Sequence, residues 1–361
     1  MRIAILSSNL FPTPADPEKL PPGHAAASET IMAQISEGMV KRGHEVTLFA
    51  SGDSQTSASL VSVAKTASIF DPLVGFENHQ EFEHLLISRC YQMAKTGCFD
   101  VIHSVFDTRS AYYAGLVETP TVVTLHSPLE GMRKMILSEI PDTQWYVSIS
   151  NAQRHGLPEL KYLANIYHGL DLPQFTFGTG EKESMLIVGR INPKKGIMEA
   201  ALMAHKIKKP LWILGSHAND KEPYWQKLSS LIDQKTVFSA GMISKKEVAD
   251  YYRKAKLFLF PLQWEEPFGL VMIEAMACGT PVVAFARGSV PEIVKDGETG
   301  FIVNSSETDK RGDWLVKKTG EEENRYSRAN GANALQIEQF QELMKDAKKR
   351  KLTYQKQLND L

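Results

Sequence analysis

The stretch "KLFLFPLQWEEPFGLVMIEAMACGTPVVAF", residues 256–285, decides the fold. Its two ends, 256–262 and 281–285, are continuous apolar runs of the kind found in strands that are buried on both faces. The apolar run between them, from Leu270 to Ala277, predicts a helix. A strand, helix and strand in this order imply a parallel sheet with the helix packed on it.

A single carboxylate, Glu274, lies in the middle of this apolar helix. An unpaired polar group in an interior costs roughly 2 to 7 kcal/mol and a charge costs more, so we expect Glu274 to have a polar partner. Glu266 precedes it by about two helical turns, so both carboxylates can face the carboxyl edge of the sheet. Carboxylates accept hydrogen bonds from vicinal diols, such as those of a sugar or ribose. The alternatives are a buried ion pair for Glu274 and a solvated loop charge for Glu266.

The entrance to the helix offers backbone donors. Pro267 and Gly269 shape the turn, so the amides of Gly269, Leu270 and Val271 are left unpaired at a helix N-terminus. The helix dipole also favours an anion at this position, and a phosphate would fit. An ordinary helix entrance is the alternative interpretation.

A second cluster, "GRINPKKG" at 189–196, joins a strand that ends at Gly189 to a helix that opens after Gly196. Arg190 and Lys195 follow the first strand of the second half, at the edge where doubly wound sheets bind ligands. Two cations near a helix N-terminus suit a diphosphate. Solvated lysines are the alternative, and the neighbouring cluster favours the anion site.

Strands alternate with helices along the chain, and the pattern restarts after the polar stretch "GTGEKES" at 178–184. This predicts two doubly wound α/β domains, 1–172 and 173–330, followed by a charged helical tail at 331–361. Helices are predicted from about Ser28 to Arg42, within 78–96 and near 196–208. Strands are predicted at RIAIL, EVTLFA, DVIHSV, TPTVVTLH and QWYVSIS in the first half and at MLIVGR, PLWILG, TVFSAG, KLFLFPL and PVVAF in the second.

The composition is that of a soluble globular protein, with 361 residues, 43% hydrophobic and 23% charged. Cys90, Cys98 and Cys278 are too few and too scattered for a disulfide framework or a zinc site, which predicts a cytoplasmic location. No apolar run approaches the roughly 18 residues of a membrane span, so neither a signal peptide nor a transmembrane helix is expected. Lys and Arg number 41 against 42 Asp and Glu, and no basic and aromatic pattern predicts a nucleic-acid partner.

Three motifs together carry a resemblance to a known family. They are "GRINPKKG", "FSAGMIS" and "EEPFGLVMIEAMACGTPVVAFARGSVPEIVKDGETGFIV", which contains an E-x7-E pair. In this combination and order they resemble the donor-binding domain of retaining glycosyltransferases of family 4, which have the GT-B fold. The resemblance covers roughly residues 1–304 and is strongest from 186 to 304. It implies two Rossmann-like domains that face each other across a cleft, the first for the acceptor and the second for a nucleotide sugar.

The resemblance also implies roles for individual residues. Glu266 would hold hydroxyls of the transferred sugar and Glu274 would hold the ribose. Arg190 and Lys195 would neutralise the diphosphate. The other implied donor-binding residues are Phe268, then Gly269, Leu270 and Val271 at the helix entrance, and Gly241 and Met242 beside the base.

In the first domain, "VVTLHSP" places His126 at the end of a strand, where the family has a histidine that reaches sugar and acceptor. Without the resemblance, a structural histidine is the commoner outcome. The loop after the first strand departs from the family pattern. It reads "GHAAASE", with Ala26 and Ala27 in place of a glycine pair and Glu29 retained. An alanine adds a methyl group and restricts φ, which limits close approach of this loop to a diphosphate or acceptor.

Other nucleotide-binding classes fit less well. A nicotinamide dehydrogenase needs G-x-G-x-x-G between strand and helix, and the one G-x-G, "GTG" at 178–180, precedes a strand. A P-loop is also absent from the sequence, as is the D-x-D pair of metal-dependent glycosyltransferases. The resemblance, together with the missing D-x-D pair, implies a retaining glycosyltransferase that needs no metal or cofactor and uses a UDP- or GDP-sugar. Its acceptor hydroxyl would belong to a sugar, a lipid-linked or a small molecule, and membrane association is possible but not indicated. The alternative is a non-catalytic GT-B protein that binds nucleotide sugars.

Overall fold

The computed structural model describes residues 1–24, 26–178 and 182–303. Within these ranges the chain forms two compact units, of which the first contains residues 1–16 and 26–168. The second contains the other described residues, including the short segment before residue 25.

The first unit is built on a parallel sheet with the strand order β3-β2-β1-β4-β5-β6-β7. The strands are β1 (Arg2–Leu6), β2 (Glu45–Phe49), β3 (Ser59–Val61), β4 (Val101–Ser104), β5 (Thr121–Thr124), β6 (Trp145–Ser148) and β7 (Tyr162–Asn165). Its α-helices are α1 (Ala27–Lys41), α2 (His79–Lys95), α3 (Asp107–Ala114), α4 (Gly131–Glu139) and α5 (Asn151–Arg154). Strand β1 pairs with β2 on one side and β4 on the other, in parallel.

The second unit repeats this plan with the parallel order β10-β9-β8-β11-β12-β13. The strands are β8 (Ser184–Val188), β9 (Leu211–Leu214), β10 (Val237–Gly241), β11 (Ala255–Phe260), β12 (Val282–Phe285) and β13 (Gly300–Val303). Its α-helices are α6 (Ile197–Ile207), α7 (Pro223–Ser229), α8 (Lys245–Lys254), α9 (Leu270–Ala277) and α10 (Val290–Ile293). In both units the order therefore reverses beside the first strand, as in doubly wound folds.

Apolar side chains cover both faces of the second sheet. One cluster includes Ile197 and Ala201 of α6, and the other includes Tyr252 of α8 with Met272 of α9. Met272 is fully buried, and burial of such a side chain stabilises the fold by about 1.5 to 3 kcal/mol. Helices on both faces explain why β11 and β12 are continuous apolar runs rather than alternating ones.

Local signals set several helix ends. Gly43 ends the turn after α1 with a φ of 77°, and its amide donates to the Val40 carbonyl. Helix α8 begins with a capping box, in which the hydroxyl of Ser244 accepts from the amide of Glu247 and the Glu247 carboxylate accepts from the amide of Ser244. The same kinds of signal, a glycine stop and a Ser-x-x-Glu start, can be found in the sequence.

The fold class is confirmed, and the predicted strands and helices are found with small shifts at their ends. The prediction omitted β3, β7 and β13 and several shorter helices. Strand β3 has three residues and is mostly exposed, so it lacks the apolar run that marks a buried strand. The change between units, after His168, lies close to the predicted boundary at 172. The predicted tail at 331–361 lies outside the described residues, and no helix in the described part of the chain is long and apolar enough to cross a bilayer.

Candidate functional site

The carboxyl ends of β8 and β11 lie side by side in the second sheet, where the strand order reverses. In open α/β sheets this is the crevice where ligands bind. The loop at 189–196 follows β8 and the loop at 261–269 follows β11. The two motifs that the sequence singled out are therefore brought to one edge, although more than sixty residues separate them.

Backbone contacts join these two loops. The amide of Gln263 donates to the carbonyl of Lys194 at 2.9 Å. Gly196 has a φ of 68°, and a Cβ there would meet the carbonyl oxygen of Pro261 at 1.9 Å. Only glycine fits this approach, so Gly196 is required for the loops to close on each other.

The side chains of Lys195 and Glu266 meet where the loops join. Lys195 Nζ donates to Glu266 Oε2 at 2.5 Å, and the two side chains are only 17% and 12% exposed. Trp264 Nε1 donates to the same oxygen at 3.1 Å. Two of the predicted site residues are thus bonded to each other, and a tryptophan that the sequence analysis did not single out completes the cluster.

Arg190 stands apart from this pair. Arg190 is exposed just after β8, and it has no hydrogen-bond or ion-pair partner within the described ranges. A guanidinium in this position keeps its fork of donors for an anion. Of the two predicted cations, Arg190 is the available one and Lys195 is the paired one.

The entrance of α9 presents open backbone donors, as predicted. Gly269 caps the helix in the left-handed region with a φ of 81°, and α9 begins at Leu270. In the described structure the amides of Gly269, Leu270 and Val271 make no backbone hydrogen bond. The side chain of Phe268 is buried beneath this turn, at 3% exposure, so this residue supports the turn through packing.

A tight turn after β12 forms hydrogen bonds with the loop that follows β11. The amide of Ser289 donates to the carbonyl of Glu266 at 2.9 Å, and its hydroxyl donates to the carbonyl of Phe268 at 2.6 Å. The amide of Gly288 donates to the side chain of Glu265 at 2.5 Å, and a Cβ on Gly288 would lie 2.2 Å from the Glu266 carbonyl oxygen. Both neighbours of Pro267 are therefore fixed by groups from another loop.

Glu274 has a partner inside the second unit. The hydroxyl of Tyr252, on α8, donates to Glu274 Oε2 at 2.9 Å. Burial, together with the adjacent carboxylate, raises the pKa of Tyr252 well above its usual value, so the hydroxyl keeps its proton. A polar partner was expected, and the sequence did not identify Tyr252 as that partner. The ribose contact remains a prediction.

Gly241 and Met242 lie at the carboxyl end of β10, on the same edge of the sheet as β8. Gly241 adopts a φ of 70°, and its carbonyl accepts from the amide of Gly215 at 2.8 Å. Met242 is 36% exposed. An exposed thioether beside a glycine turn offers an apolar surface for a base, which is the predicted role.

His126 belongs to the first unit, after β5. Its Nε2 is buried and has no hydrogen-bond partner among the described residues. Its ring stacks on that of His168, with 5.3 Å between centroids. Burial lowers the pKa of His126 to about 4, so the imidazole is neutral near pH 7.

Ion pairs surround the same edge of the first sheet. Glu83 accepts from Arg109 and, at 2.9 Å, from the hydroxyl of Ser8. Arg133 Nε donates to Asp107 Oδ2 at 2.5 Å. The guanidinium groups of both arginines are therefore neutralised within their own unit.

The alanines that depart from the family pattern lie at the start of α1. Ala26 is the helix cap with a φ of −127°, and it is buried. Ala27 is exposed on the first turn. Glu29 is 5% exposed, and burial raises the pKa of its carboxyl. Ala26 needs no left-handed conformation, so a glycine is not required there.

Comparisons with known proteins agree with this architecture. A model of the family described as glycosyl transferases group 1 matches residues 174–334, and a model described as glycosyltransferase family 4 matches residues 28–170. A D-inositol 3-phosphate glycosyltransferase of Mycolicibacterium smegmatis is 24% identical over 93% of this chain and 87% of that protein. An alpha-maltose-1-phosphate synthase of the same organism is 29% identical over 48% of this chain and 43% of that protein.

Solved structures show the same fold. A sucrose-phosphate synthase from Thermosynechococcus elongatus superposes with a TM-score of 0.67 and 20% identity, covering 100% of this chain and 99% of that one. The Anabaena protein HepE, solved in complex with UDP-glucose, superposes with a TM-score of 0.64 and 18% identity, covering 100% of both chains. Since the two family models match consecutive parts of the sequence, this chain belongs to the family 4 glycosyltransferases, has the GT-B fold and is an enzyme that transfers sugars.

Proposed function

We propose that the protein transfers a sugar from a nucleoside-diphosphate sugar, most readily a UDP- or GDP-sugar, to a hydroxyl acceptor with retention of configuration. The observation that carries this proposal is the cluster at the reversal point of the second sheet. There Arg190, Lys195 and Glu266 share one edge of the sheet with the open amides of α9. Cations and amides suit a diphosphate, and a carboxylate suits sugar hydroxyls. The Anabaena structure with UDP-glucose supports a nucleotide sugar as the ligand of such a fold.

The charges explain how the reaction would proceed. The bond from the anomeric carbon to the phosphate oxygen breaks, and the leaving diphosphate gains negative charge. Fixed cations and backbone donors stabilise that charge more in the transition state than in the ground state. Arg190 and Lys195 supply the positive charge, so the proposal needs no metal ion.

Retention is what the resemblance to family 4 implies: the acceptor attacks on the face that the diphosphate leaves, and Glu266 has no nucleophilic role. Its Oε2 is bonded to Lys195 and Trp264, which lowers its capacity to attack a carbon. The acceptor oxygen then attacks from the face that the diphosphate leaves, and its proton passes to a phosphate oxygen of the leaving group. His126, neutral at pH 7, would contact the sugar and acceptor as a hydrogen-bonding group. The acceptor is a sugar, a lipid-linked or a small molecule, and the scattered cysteines favour the cytoplasm.

The first experiment measures thermal stability and donor hydrolysis with UDP-, GDP-, ADP- and TDP-sugars. At about 100 times its Kd a donor should add roughly 2.7 kcal/mol to the free energy of unfolding. We expect one base to stabilise the protein, slow hydrolysis that EDTA leaves unchanged, and a product with the anomeric configuration of the donor.

Glu274→Gln is the control for that experiment. The amide oxygen still accepts from Tyr252, but the charge that would hold a ribose diol is gone, so stabilisation by the donor should shrink. If none of the four donors stabilises the protein, the proposal is contradicted. Inversion at the anomeric carbon would contradict its stereochemical part.

A further inference from the structure

The carboxylate of Glu266 is held from one side only. Its Oε2 accepts two hydrogen bonds, from Lys195 Nζ at 2.5 Å and from Trp264 Nε1 at 3.1 Å. Its Oε1 accepts none within the described part of the chain. One oxygen is thus fixed and the other remains available to a ligand.

The two donors differ in how firmly they are placed. A lysine carries a point charge on a flexible stem and has three donors that can be redirected. Lys195 is also one of the cations proposed for the diphosphate, so donor binding should draw its ammonium toward the phosphates. Trp264 has a single N–H on a rigid ring, and the ring packs partly buried against the apolar cluster beneath β11. The indole can therefore keep its bond to Glu266 while the lysine moves.

The face of the same ring contacts both lysines of the β8 loop. Lys194 Nζ lies 5.0 Å and Lys195 Nζ lies 5.2 Å from the ring centroid of Trp264. Cations at these distances are attracted to an aromatic face. Trp264 thus separates two tasks, since its face holds the lysines and its edge holds the carboxylate.

We propose that Trp264 is the positioning residue for recognition of the donor sugar: its N–H fixes Glu266 so that Oε1 faces the sugar hydroxyls after Lys195 has turned to the diphosphate. This inference rests on the proposed function, because it assigns the sugar to Glu266. It adds that the sugar, and not the nucleotide, is the part of the donor that depends on Trp264.

The test is Trp264→Phe, which keeps an aromatic face for the lysines and removes the N–H. The probes are two matched pairs, UDP with UDP-glucose and GDP with GDP-mannose, titrated by calorimetry. We expect the affinity for the nucleoside diphosphate to change less than twofold. The additional affinity of the nucleotide sugar should fall about tenfold, because a hydrogen bond to a charged group contributes about 1.5 kcal/mol. The rate of donor hydrolysis should fall as well.

Trp212→Phe is the matched control. Trp212 is another partly buried indole of the second unit, and it stacks on Phe238 with 4.9 Å between centroids. Its replacement should leave the ratio of the two affinities unchanged. A second measurement combines Trp264→Phe with Glu266→Gln. If the indole acts through the carboxylate, the double variant should be no worse than Glu266→Gln alone.

The outcomes separate this inference from the proposed function. If the wild type binds neither pair and none of the four donors of the first experiment stabilises it, the proposed function fails and the role of Trp264 fails with it. If the wild type binds a nucleotide sugar but Trp264→Phe weakens both members of the pair equally, the indole is structural and only the inference fails. Additive losses in the double variant would also overturn it.

Discussion

The two sheets share a strand order around their first strands, yet their carboxyl edges differ in chemistry. In the second unit Arg190 is exposed and has no partner within the described residues, while Lys195 is paired with Glu266. In the first unit Arg109 and Arg133 are each neutralised by a carboxylate of the same unit. The common topology determines where polar residues gather. Whether their charge is available to a ligand depends on which partners the surrounding helices supply.

The backbones of the two edges also differ in how closely their loops pack against other main-chain atoms. In the second unit, a Cβ at Gly196, Gly215 or Gly288 would lie within 2.2 Å of a backbone oxygen, so the loops pack main chain against main chain. In the first unit a Cβ at Gly156 would also lie 2.4 Å from the carbonyl oxygen of Leu129, but the helix after β1 begins at Ala27 with Ala26 as its cap, where side chains fit. A rigid backbone that presents amides suits a phosphate, whereas side-chain networks suit a more variable ligand.

The largest expected effect tests the availability of charge at the second edge. Lys195→Ala removes a cation that would face the leaving diphosphate, so kcat should fall by about 100- to 1,000-fold, as it does when one preorganised donor is lost. Lys194→Ala is the matched control, because Lys194 is the exposed neighbour on the same turn. Its kcat should stay within a few-fold of the wild type. A Lys195→Ala enzyme with normal kcat would mean that both edges use their cations structurally.

The second prediction tests the first edge, where the cation is expected to be structural. Arg109→Ala leaves the carboxylate of Glu83 without its arginine partner, and that side chain is only 4% exposed. Loss of one partner of a buried pair costs about 3 kcal/mol, so the urea midpoint of unfolding should drop clearly. Affinity for the nucleotide donor should stay unchanged.

The control for this prediction is an ion pair of the same unit that faces solvent. Lys161 and Asp142 are 2.8 Å apart, with side chains 36% and 75% exposed. Lys161→Ala should cost less than about 1 kcal/mol. If Arg109→Ala instead preserved stability and weakened donor binding, the contrast between the two edges would be wrong.

The sequence predicted the fold and the placement of the second site because those depend on local patterns. Apolar runs marked the buried strands, and Gly196 and Gly269 marked two helix entrances. It could not predict which side chains bond to each other. Lys195 and Glu266 are 71 positions apart, and Tyr252 and Glu274 are 22 apart.

Partners of this kind depend on how whole elements pack, which a single sequence does not display. Trp264 could have been noticed from its place two residues before Glu266. The turn at Ser289 was quoted only as part of a family motif, because its bonds to Glu266 and Phe268 span more than twenty residues of chain. The sequence signal for this turn was the short polar segment between an apolar strand and the next helix.

The smallest effect concerns the neutral histidines of the first unit. Burial lowers the pKa of His126 to about 4 and that of His103 to about 3, while an unfolded chain has a histidine pKa near 6.5. The unfolded state therefore binds more protons as pH falls from about 6.5 toward 4, so acid should destabilise the folded state over that range. Each buried histidine contributes up to about 1.4 kcal/mol per pH unit.

Urea unfolding at pH 7.0, 6.0 and 5.0 measures this slope. His126→Asn removes one titrating group and should flatten the loss by about one histidine's share, while leaving the midpoint at pH 7 less affected. If His126→Asn leaves the slope unchanged, the pKa of this imidazole is the same in the folded and unfolded protein, and burial does not keep it neutral.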